Sequence, residues 1–260
     1  MSRKFVCLPG YLQSGKVFAE KSSGIRKILT KKYNCQLDYI DPPILIPNKE
    51  ELPFTLSEDE NEANTKFSGL VDLNVNRCWW SHKSTPCRYE HFDEALSYVV
   101  DYIKENGPYD GIIGFSQGAA MAAIVANNIN KLLPSHENFK VAVIISGFAF
   151  VEPKNPEDDR EKLNTEITDV LTYTENVNLV PGYEKYFQAP TDFDTSIILI
   201  YGSNDFAVPN VRSRHLESLY ALAVLNTFVH DGGHLVPNKK QFLNPVVEQI
   251  ESSLESKPNL

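Results

Sequence analysis

The sequence has no long apolar run and no concentrated positive charge. No stretch approaches the ~18 apolar residues of a membrane span, and the N-terminal MSRKFVCLPG has no apolar segment like that of a secretory signal. The formal net charge is -9, and lysine and arginine never form a run longer than a pair. Because nucleic acids and anionic membranes need a concentrated positive face, both are disfavoured as partners. We expect a cytoplasmic location, with the nucleus as a further one.

Cysteine is scarce as well. The four residues are Cys7, Cys35, Cys78 and Cys87. Their spacing fits no zinc pattern, and without a secretory signal we expect reduced thiols. The sequence therefore predicts neither a disulfide framework nor a cysteine-based metal site.

Apolar segments alternate with helical patterns along the chain. Strands are predicted at 4–9, 35–41, 109–115, 140–148, 196–202 and 226–230. Helices are predicted at 23–33, 92–107, 117–133, 212–223 and 241–254, the last kinked or begun by Pro245. The alternation predicts an α/β fold with a mostly parallel central sheet and helices on both faces.

Two long segments, at about 42–90 and 151–191, interrupt this alternation. Both follow predicted strands, so they should leave the carboxyl edge of the sheet, where open α/β folds bind ligands. Neither has enough apolar residues for a core of its own. We interpret them as two excursions from a single domain that spans residues 1–260.

The stretch GIIGFSQGAAM at 111–121 places one polar residue, Ser116, between a strand pattern and an alanine-rich helix pattern. Gly114 and Gly118 stand two positions before and after it. In a nucleophile elbow the serine occupies a strained strand-to-helix turn, where side chains at those two positions would collide. We predict that Ser116 is a catalytic nucleophile. The alternative is a glycine-bounded turn with an incidental serine.

A nucleophilic serine needs a base and an acid that orients the base, and on this fold they follow in the order serine, acid, histidine. Asp205 follows the strand at 196–202, and we predict it as the acid; a simple turn aspartate is the alternative. We predict His234, beyond two glycines in the last loop, as the base; His230, which we expect to be packed, is the alternative. A metal site formed by the two histidines would need a helix, which the glycines disfavour, so no metal is predicted.

Two backbone N–H groups are predicted to form an oxyanion hole. The first is that of Gln117, at the start of the helix after the serine. The second belongs to Tyr11 in the loop CLPGYLQSG, where Gly10 allows the backbone to turn its amide inward.

Five segments together resemble the FSH-type family of serine hydrolases, small α/β-hydrolases that include the ovarian-cancer-associated esterase and fungal polyketide-releasing thioesterases. They are LPGYLQSGKVFAEKSSGIRK, NRCWWSH, NGPYDGIIGFSQGAA, YGSNDFAVP and HDGGHLVPNKK, and the similarity covers nearly the whole chain. The resemblance implies an α/β-hydrolase fold, Ser116, Asp205 and His234 as nucleophile, acid and base, ester or thioester substrates and no cofactor. The family usually has histidine-glycine in the first loop, where this chain has Pro9–Gly10.

We therefore expect a carboxylic-ester hydrolase that forms an acyl-enzyme with a small-molecule substrate. An acyl thioesterase is the alternative among enzymes, for which Lys239 and Lys240 are weak support. A catalytically silent binding scaffold is the alternative of another class, and a complete Ser–Asp–His set disfavours it.

Aromatic residues of the excursions are candidates for the wall of an acyl pocket. They are Phe54, Trp79, Trp80 and Tyr183, with Tyr186 and Phe187 nearby in sequence. The alternative is that these side chains anchor the excursions to the body of the protein.

Overall fold

The computed structural model describes residues 2–84, 87–190, 193–221 and 224–255. The strands are β1 (Arg3–Leu8), β2 (Cys35–Tyr39), β3 (Ile44–Leu45), β4 (Arg77–Cys78), β5 (Ser81–Ser84), β6 (Cys87–Glu90), β7 (Gly111–Phe115), β8 (Val141–Ile145), β9 (Val151–Pro153), β10 (Val177–Leu179), β11 (Ser196–Gly202) and β12 (Leu225–His230). The α-helices are α1 (Gly15–Lys21), α2 (Ser23–Tyr33), α3 (Glu60–Asp72), α4 (Phe92–Asn106), α5 (Gln117–Leu132), α6 (Arg160–Glu166), α7 (Val170–Asn176), α8 (Glu184–Phe187), α9 (Asn210–Glu217) and α10 (Lys240–Glu255).

Six strands form the central sheet in the order β2-β1-β7-β8-β11-β12, and every neighbouring pair is parallel. The predicted parallel α/β sheet is thereby confirmed. Parallel strands put their carboxyl ends at one edge, so the loops after β1, β7, β8, β11 and β12 meet there.

Alternate side chains of the sheet enter two apolar cores, one on each face. One core holds Ile112, Ile144 and Leu199 and is covered mainly by α4 and α5. The other holds Ile113, Val143 and Ile198 and is covered by α1, α2 and α10. Because each fully buried aliphatic side chain contributes roughly 1.5–3 kcal/mol, these two layers fix the sheet as a rigid base for its loops.

Two helix boundaries differ from the prediction. The last helix begins at Lys240, and Pro245 lies inside it, where its ring removes only one backbone hydrogen bond near the helix start. The helix predicted at 212–223 is α9, which begins directly after Pro209 and ends at Glu217. Residues 222–223 lie outside the described residues.

Both excursions bury side chains in the core that covers the α5 face. The first, which holds β3 to β6 and α3, contributes Trp79, Trp80 and Tyr89, and the second contributes Tyr173 and Phe187. A small third cluster of Ile46, Leu52 and Cys78 lies under the first excursion.

The four cysteines are unpaired in the structure, and burial raises the pKa of the Cys7 thiol well above its ordinary value. Among the described residues, no helix is both long and apolar enough to cross a bilayer.

Candidate active site

Ser116 occupies the turn between β7 and α5. Its backbone has φ 56° and ψ −121°, in the positive-φ region that non-glycine residues rarely adopt. Its N–H donates to the Ile145 carbonyl of the neighbouring strand at 2.9 Å, which holds the turn against the sheet. The sharp strand-to-helix turn predicted from the sequence is confirmed, with the side chain at the carboxyl edge.

The glycines on either side of the serine are required by close contacts of the backbone. A Cβ at Gly114 would lie 2.2 Å from the Gly118 carbonyl oxygen, and one at Gly118 would lie 2.2 Å from the Leu8 carbonyl oxygen. Neither neighbour is a flexible side chain that could move aside. The predicted collision is therefore confirmed at both positions.

The structure brings together the three residues predicted as nucleophile, acid and base. Nε2 of His234 lies 3.0 Å from Oγ of Ser116, and Nδ1 of the same ring lies 2.8 Å from Oδ2 of Asp205. The three side chains come from the loops that follow β7, β11 and β12. A continuous hydrogen-bonded chain thus runs from a buried carboxylate to a serine hydroxyl.

Asp205 is held as an anion by its surroundings. Its side chain has no exposed surface, and its Oδ1 accepts hydrogen bonds from the N–H groups of Ala207 and Val208. Burial by itself raises the pKa of a carboxyl, but the contact with His234 and the backbone hydrogen bond from Val208 outweigh it and lower the pKa of Asp205. The carboxylate can therefore orient the imidazole near neutral pH.

The loop that carries His234 is fastened to the loop that carries Asp205. The Asn204 N–H donates to the Gly232 carbonyl at 3.1 Å, and its side-chain amide donates to the Asp231 carbonyl at 2.8 Å. The His234 ring also packs on Phe115, with 4.7 Å between centroids. Sequence reasoning did not single out Asn204; its position directly before the acid was the only available signal.

His230 is buried at the end of β12, as expected. Its Nδ1 accepts a hydrogen bond from the Gly232 N–H at 3.1 Å, and burial lowers the pKa of its imidazole.

No group of three His, Cys, Asp or Glu residues within the described ranges could hold a metal ion.

The loop after β1 passes directly beside Ser116. A Cβ at Gly10 would lie 3.1 Å from Ser116 Cβ, and the Gly10 N–H is bound by Oε1 of Gln13 at 3.2 Å. The N–H groups of Tyr11 and Gln117 have no hydrogen-bond partner among the described residues. Neither amide is therefore occupied by another acceptor in that part of the chain, and their role as oxyanion donors stays a prediction.

Trp79 links this loop to the start of α5. Its indole Nε1–H donates to the Pro9 carbonyl at 2.7 Å, and its backbone N–H donates to Oε1 of Gln117 at 3.1 Å. The Gln117 amide in turn donates to the Trp80 carbonyl at 3.1 Å. The first excursion is thus bound to both segments that flank the serine.

The predicted acyl-pocket aromatics lie elsewhere than expected. Trp79 and Trp80 are fully buried, so the prediction that they line an open pocket is corrected: they anchor the first excursion. Tyr183 is partly buried among aromatic rings, and its hydroxyl accepts the Tyr89 N–H at 3.4 Å. Phe54 is 49% exposed and lines a surface depression formed by its own segment. Whether an aromatic residue of an excursion lines a pocket or anchors the excursion is decided by tertiary packing, which cannot be read from the sequence pattern.

An open cleft of about 430 Å³ lies beside Tyr11. Its apolar wall comes from residues 43–47, at the start of the first excursion, and from Cys78. Its polar wall consists of Glu51, Ser81, Glu90, His91 and Glu94. Sequence reasoning missed this cleft because no aromatic residue other than Tyr11 marks it.

The parallel sheet and the strand–serine–helix turn define an α/β-hydrolase. Residues 1–246 match the family described as Serine hydrolase (FSH1), and the chain belongs to that family. The resemblance read from the sequence segments is confirmed.

Two relatives and one solved structure show the extent of the similarity. A Schizosaccharomyces pombe protein named Dihydrofolate reductase is 27% identical over 98% of this chain, which spans only 48% of that protein's length. Esterase OVCA2 of Danio rerio is 26% identical, with 90% of each chain covered. The structure of Zea mays acyl-protein thioesterase 2 superposes with a TM-score of 0.54 at 15% identity, covering 97% of this chain and 94% of that one. This last likeness shows a shared fold.

Proposed function

We propose that the protein is a carboxylic-ester hydrolase in which Ser116 is the nucleophile, His234 the general base and Asp205 the residue that orients the base. The hydrogen-bonded chain from Asp205 through His234 to Ser116, with contacts of 2.8 and 3.0 Å, carries this proposal. Membership of a serine hydrolase family and similarity to a protein named as an esterase support it.

In the first half of the reaction, Oγ of Ser116 attacks the acyl carbonyl carbon while Nε2 of His234 takes the hydroxyl proton. Asp205 accepts the hydrogen bond from Nδ1–H, so it fixes the tautomer that leaves Nε2 free and stabilises the imidazolium that forms. The bond to the leaving alcohol then breaks as Nε2 returns its proton to the departing oxygen. The product of this half is an acyl-enzyme on Ser116.

The carbonyl oxygen becomes negatively charged during the attack, and the Tyr11 and Gln117 N–H groups are its proposed donors. They lie on two segments beside Ser116, and neither is occupied by another acceptor among the described residues. Each such donor contributes roughly 3 kcal/mol of transition-state stabilisation.

In the second half, a water gives its proton to Nε2 of His234 and its oxygen attacks the acyl carbon. Collapse of the second tetrahedral intermediate returns the proton to Ser116 and releases the carboxylic acid. The same three residues serve both halves, so no cofactor is invoked.

The cleft beside Tyr11 is the proposed site for an uncharged part of the substrate. Tyr11 lines the cleft and also belongs to the loop in which Gly10 passes beside Ser116, so the cleft and the serine share that loop. Residues 43–47 supply apolar surface, while Glu51, Glu90 and Glu94 disfavour an anion there. This arrangement favours an ester with a neutral group on that side.

Covalent labelling and ester turnover test the proposal. The wild type should react with a fluorophosphonate probe and hydrolyse p-nitrophenyl esters, and Ser116→Ala should do neither while keeping its melting temperature. Ser135→Ala, an exposed serine in the loop after α5, is the matched control and should behave as the wild type. Labelling that survives in Ser116→Ala would assign the nucleophile to another residue, and an unlabelled wild type would favour a silent scaffold.

A further inference from the structure

Two arginines, on α6 and α9, each contact an aromatic side chain, and their charges interact with each other. Arg160 begins α6 in the second excursion, and its Nη1 donates to Nε2 of His82 at 2.7 Å. Its Nη2 lies 3.4 Å from the Tyr89 hydroxyl. Arg212 belongs to α9, and its guanidinium carbon lies 4.2 Å above the centre of the Phe148 ring. Their contacts are therefore with neutral and aromatic groups.

Neither guanidinium has a carboxylate within salt-bridge distance in the described part of the chain. The Nε atoms of both arginines are buried and make no hydrogen bond there. Burial lowers the pKa of the Arg212 guanidinium, and the charge of Arg160 acts in the same direction. Two like charges thus stand near each other without a counterion, in a chain whose net charge is -9.

His82 does not supply a third charge. Burial, together with the charges of Arg160 and Arg212, lowers the pKa of its imidazole to about 4. At neutral pH the ring is uncharged and accepts the hydrogen bond from Arg160. The cluster therefore keeps two positive charges and remains without a negative partner.

Arg160 and Arg212 are linked through intermediate residues to the segments that carry the proposed catalytic residues. Arg212 is in the helix that follows the Asp205 loop, and Phe148 follows β8, whose Ile145 carbonyl holds the Ser116 N–H. On the other side, Tyr89 packs against the Trp80 ring, with 6.0 Å between centroids. The Trp80 carbonyl accepts a hydrogen bond from the Gln117 side-chain amide, so contacts lead from Tyr89 through Trp80 to the residue after Ser116.

We propose that the arginine pair, Arg160 and Arg212, binds an anionic group of the substrate that is hydrolysed at Ser116. Guanidinium groups match the geometry of carboxylate and phosphate oxygens and stack on aromatic rings, as Arg212 does on Phe148. Both residues keep partial solvent exposure. The inference rests on the proposed function and assigns the anionic end of the substrate to this side and its uncharged end to the cleft beside Tyr11.

The anion could be a carboxylate at the end of the acyl chain or a phosphate of a coenzyme A leaving group, and two substrate pairs separate these sources. The first pairs p-nitrophenyl monoesters of dicarboxylic acids, from succinate to suberate, with p-nitrophenyl esters of monocarboxylic acids of equal acyl length. The second pairs valeryl-coenzyme A with valeryl-N-acetylcysteamine, which lacks the phosphates.

Values of kcat/KM would be measured for the wild type, Arg160→Gln, Arg212→Gln and Arg214→Gln. Arg214 is the control, because it lies on the same helix and donates to the Thr168 carbonyl outside the cluster.

The wild type should favour the charged member of one pair by about tenfold or more, since hydrogen bonds to charged groups are worth that factor. Arg160→Gln and Arg212→Gln should remove this preference and leave the neutral ester within about twofold, and Arg214→Gln should change neither. If the wild type preferred neither charged substrate over its neutral partner, the proposal would be overturned. This measurement uses the wild type alone, so it does not depend on whether a variant folds. Equal losses on both members of a pair would also overturn it. Loss of neutral-ester turnover in Ser116→Ala tests the proposed function separately.

Discussion

The indole Nε1 of Trp79 lies 2.7 Å from the Pro9 carbonyl oxygen, and this hydrogen bond ties the first excursion to the loop that passes beside Ser116. The backbone N–H of the same residue is held by the Gln117 side chain. Trp79 therefore holds the first excursion against both the loop after β1 and the start of α5. It also supports the first loop, in which this chain has proline where the family resemblance leads us to expect histidine.

Trp79→Phe should lower kcat by about tenfold and leave KM within about twofold, because it removes one hydrogen bond from the loop that carries an oxyanion donor. Affinity for a trifluoromethyl ketone, which mimics the oxyanion, should fall in parallel. Trp80→Phe is the control: its ring is equally buried, and it packs on Phe150 rather than bonding to the loop. Equal effects of the two variants on kcat and inhibitor binding would reduce Trp79 to a packing residue.

Asp205→Asn should lower kcat by about 10³–10⁴, because an amide favours the imidazole tautomer that cannot accept the serine proton. Asp231→Asn should leave kcat nearly unchanged, although Asp231 is closer to His234 in sequence. Its side chain is 89% exposed, and its nearest cation is Lys239 at 3.8 Å. Steady-state turnover of one activated ester compares the two, and similar losses would contradict the assignment of the acid.

His234→Ala should abolish turnover, while His230→Ala should retain part of it. Only His234 contacts both Ser116 and Asp205, whereas His230 is buried and bonded to the Gly232 N–H. Removing the buried ring should lower the melting temperature, so turnover must be expressed per folded molecule. If His230→Ala proved the more damaging to that quantity, the base would have to be reassigned.

The stability of the protein should fall as the pH is lowered from about 6.5 towards 4. The folded state lowers the pKa of His82 from 6.5 to about 4, so across this interval the unfolded chain takes up a proton that the folded one refuses. The contribution is fully present above pH 6.5 and lost as the pH falls through 4. Urea unfolding at a series of pH values measures this slope.

His82→Gln should flatten part of that slope, leaving the share due to His215 and His230, whose pKa values burial also lowers. A slope that His82→Gln does not alter would show that its imidazole is not kept neutral by burial and the charges of Arg160 and Arg212.

The sequence by itself determined the parallel sheet and the positions of Ser116, Asp205 and His234 within it. Strand and helix periods are local, and a nucleophile elbow needs glycines at fixed offsets, so these features can be read over short windows. The order of the three residues along the chain, each after a strand, placed them at one edge. Their hydrogen bonds in the structure agree with that placement.

Only the tertiary structure decided the roles of the aromatic residues and of the charged side chains around the edge. Trp79 and Trp80 occur in the first excursion, and an indole side chain can serve either as a pocket wall or as an anchor. The partners that separate these roles, Pro9 and Gln117, are far away in sequence. The proximity of Arg160 to Arg212 is equally non-local. In the sequence, each arginine alone has the pattern of a surface cation. That neither has a carboxylate partner among the described residues is known only from the packing of α6, α9 and the first excursion.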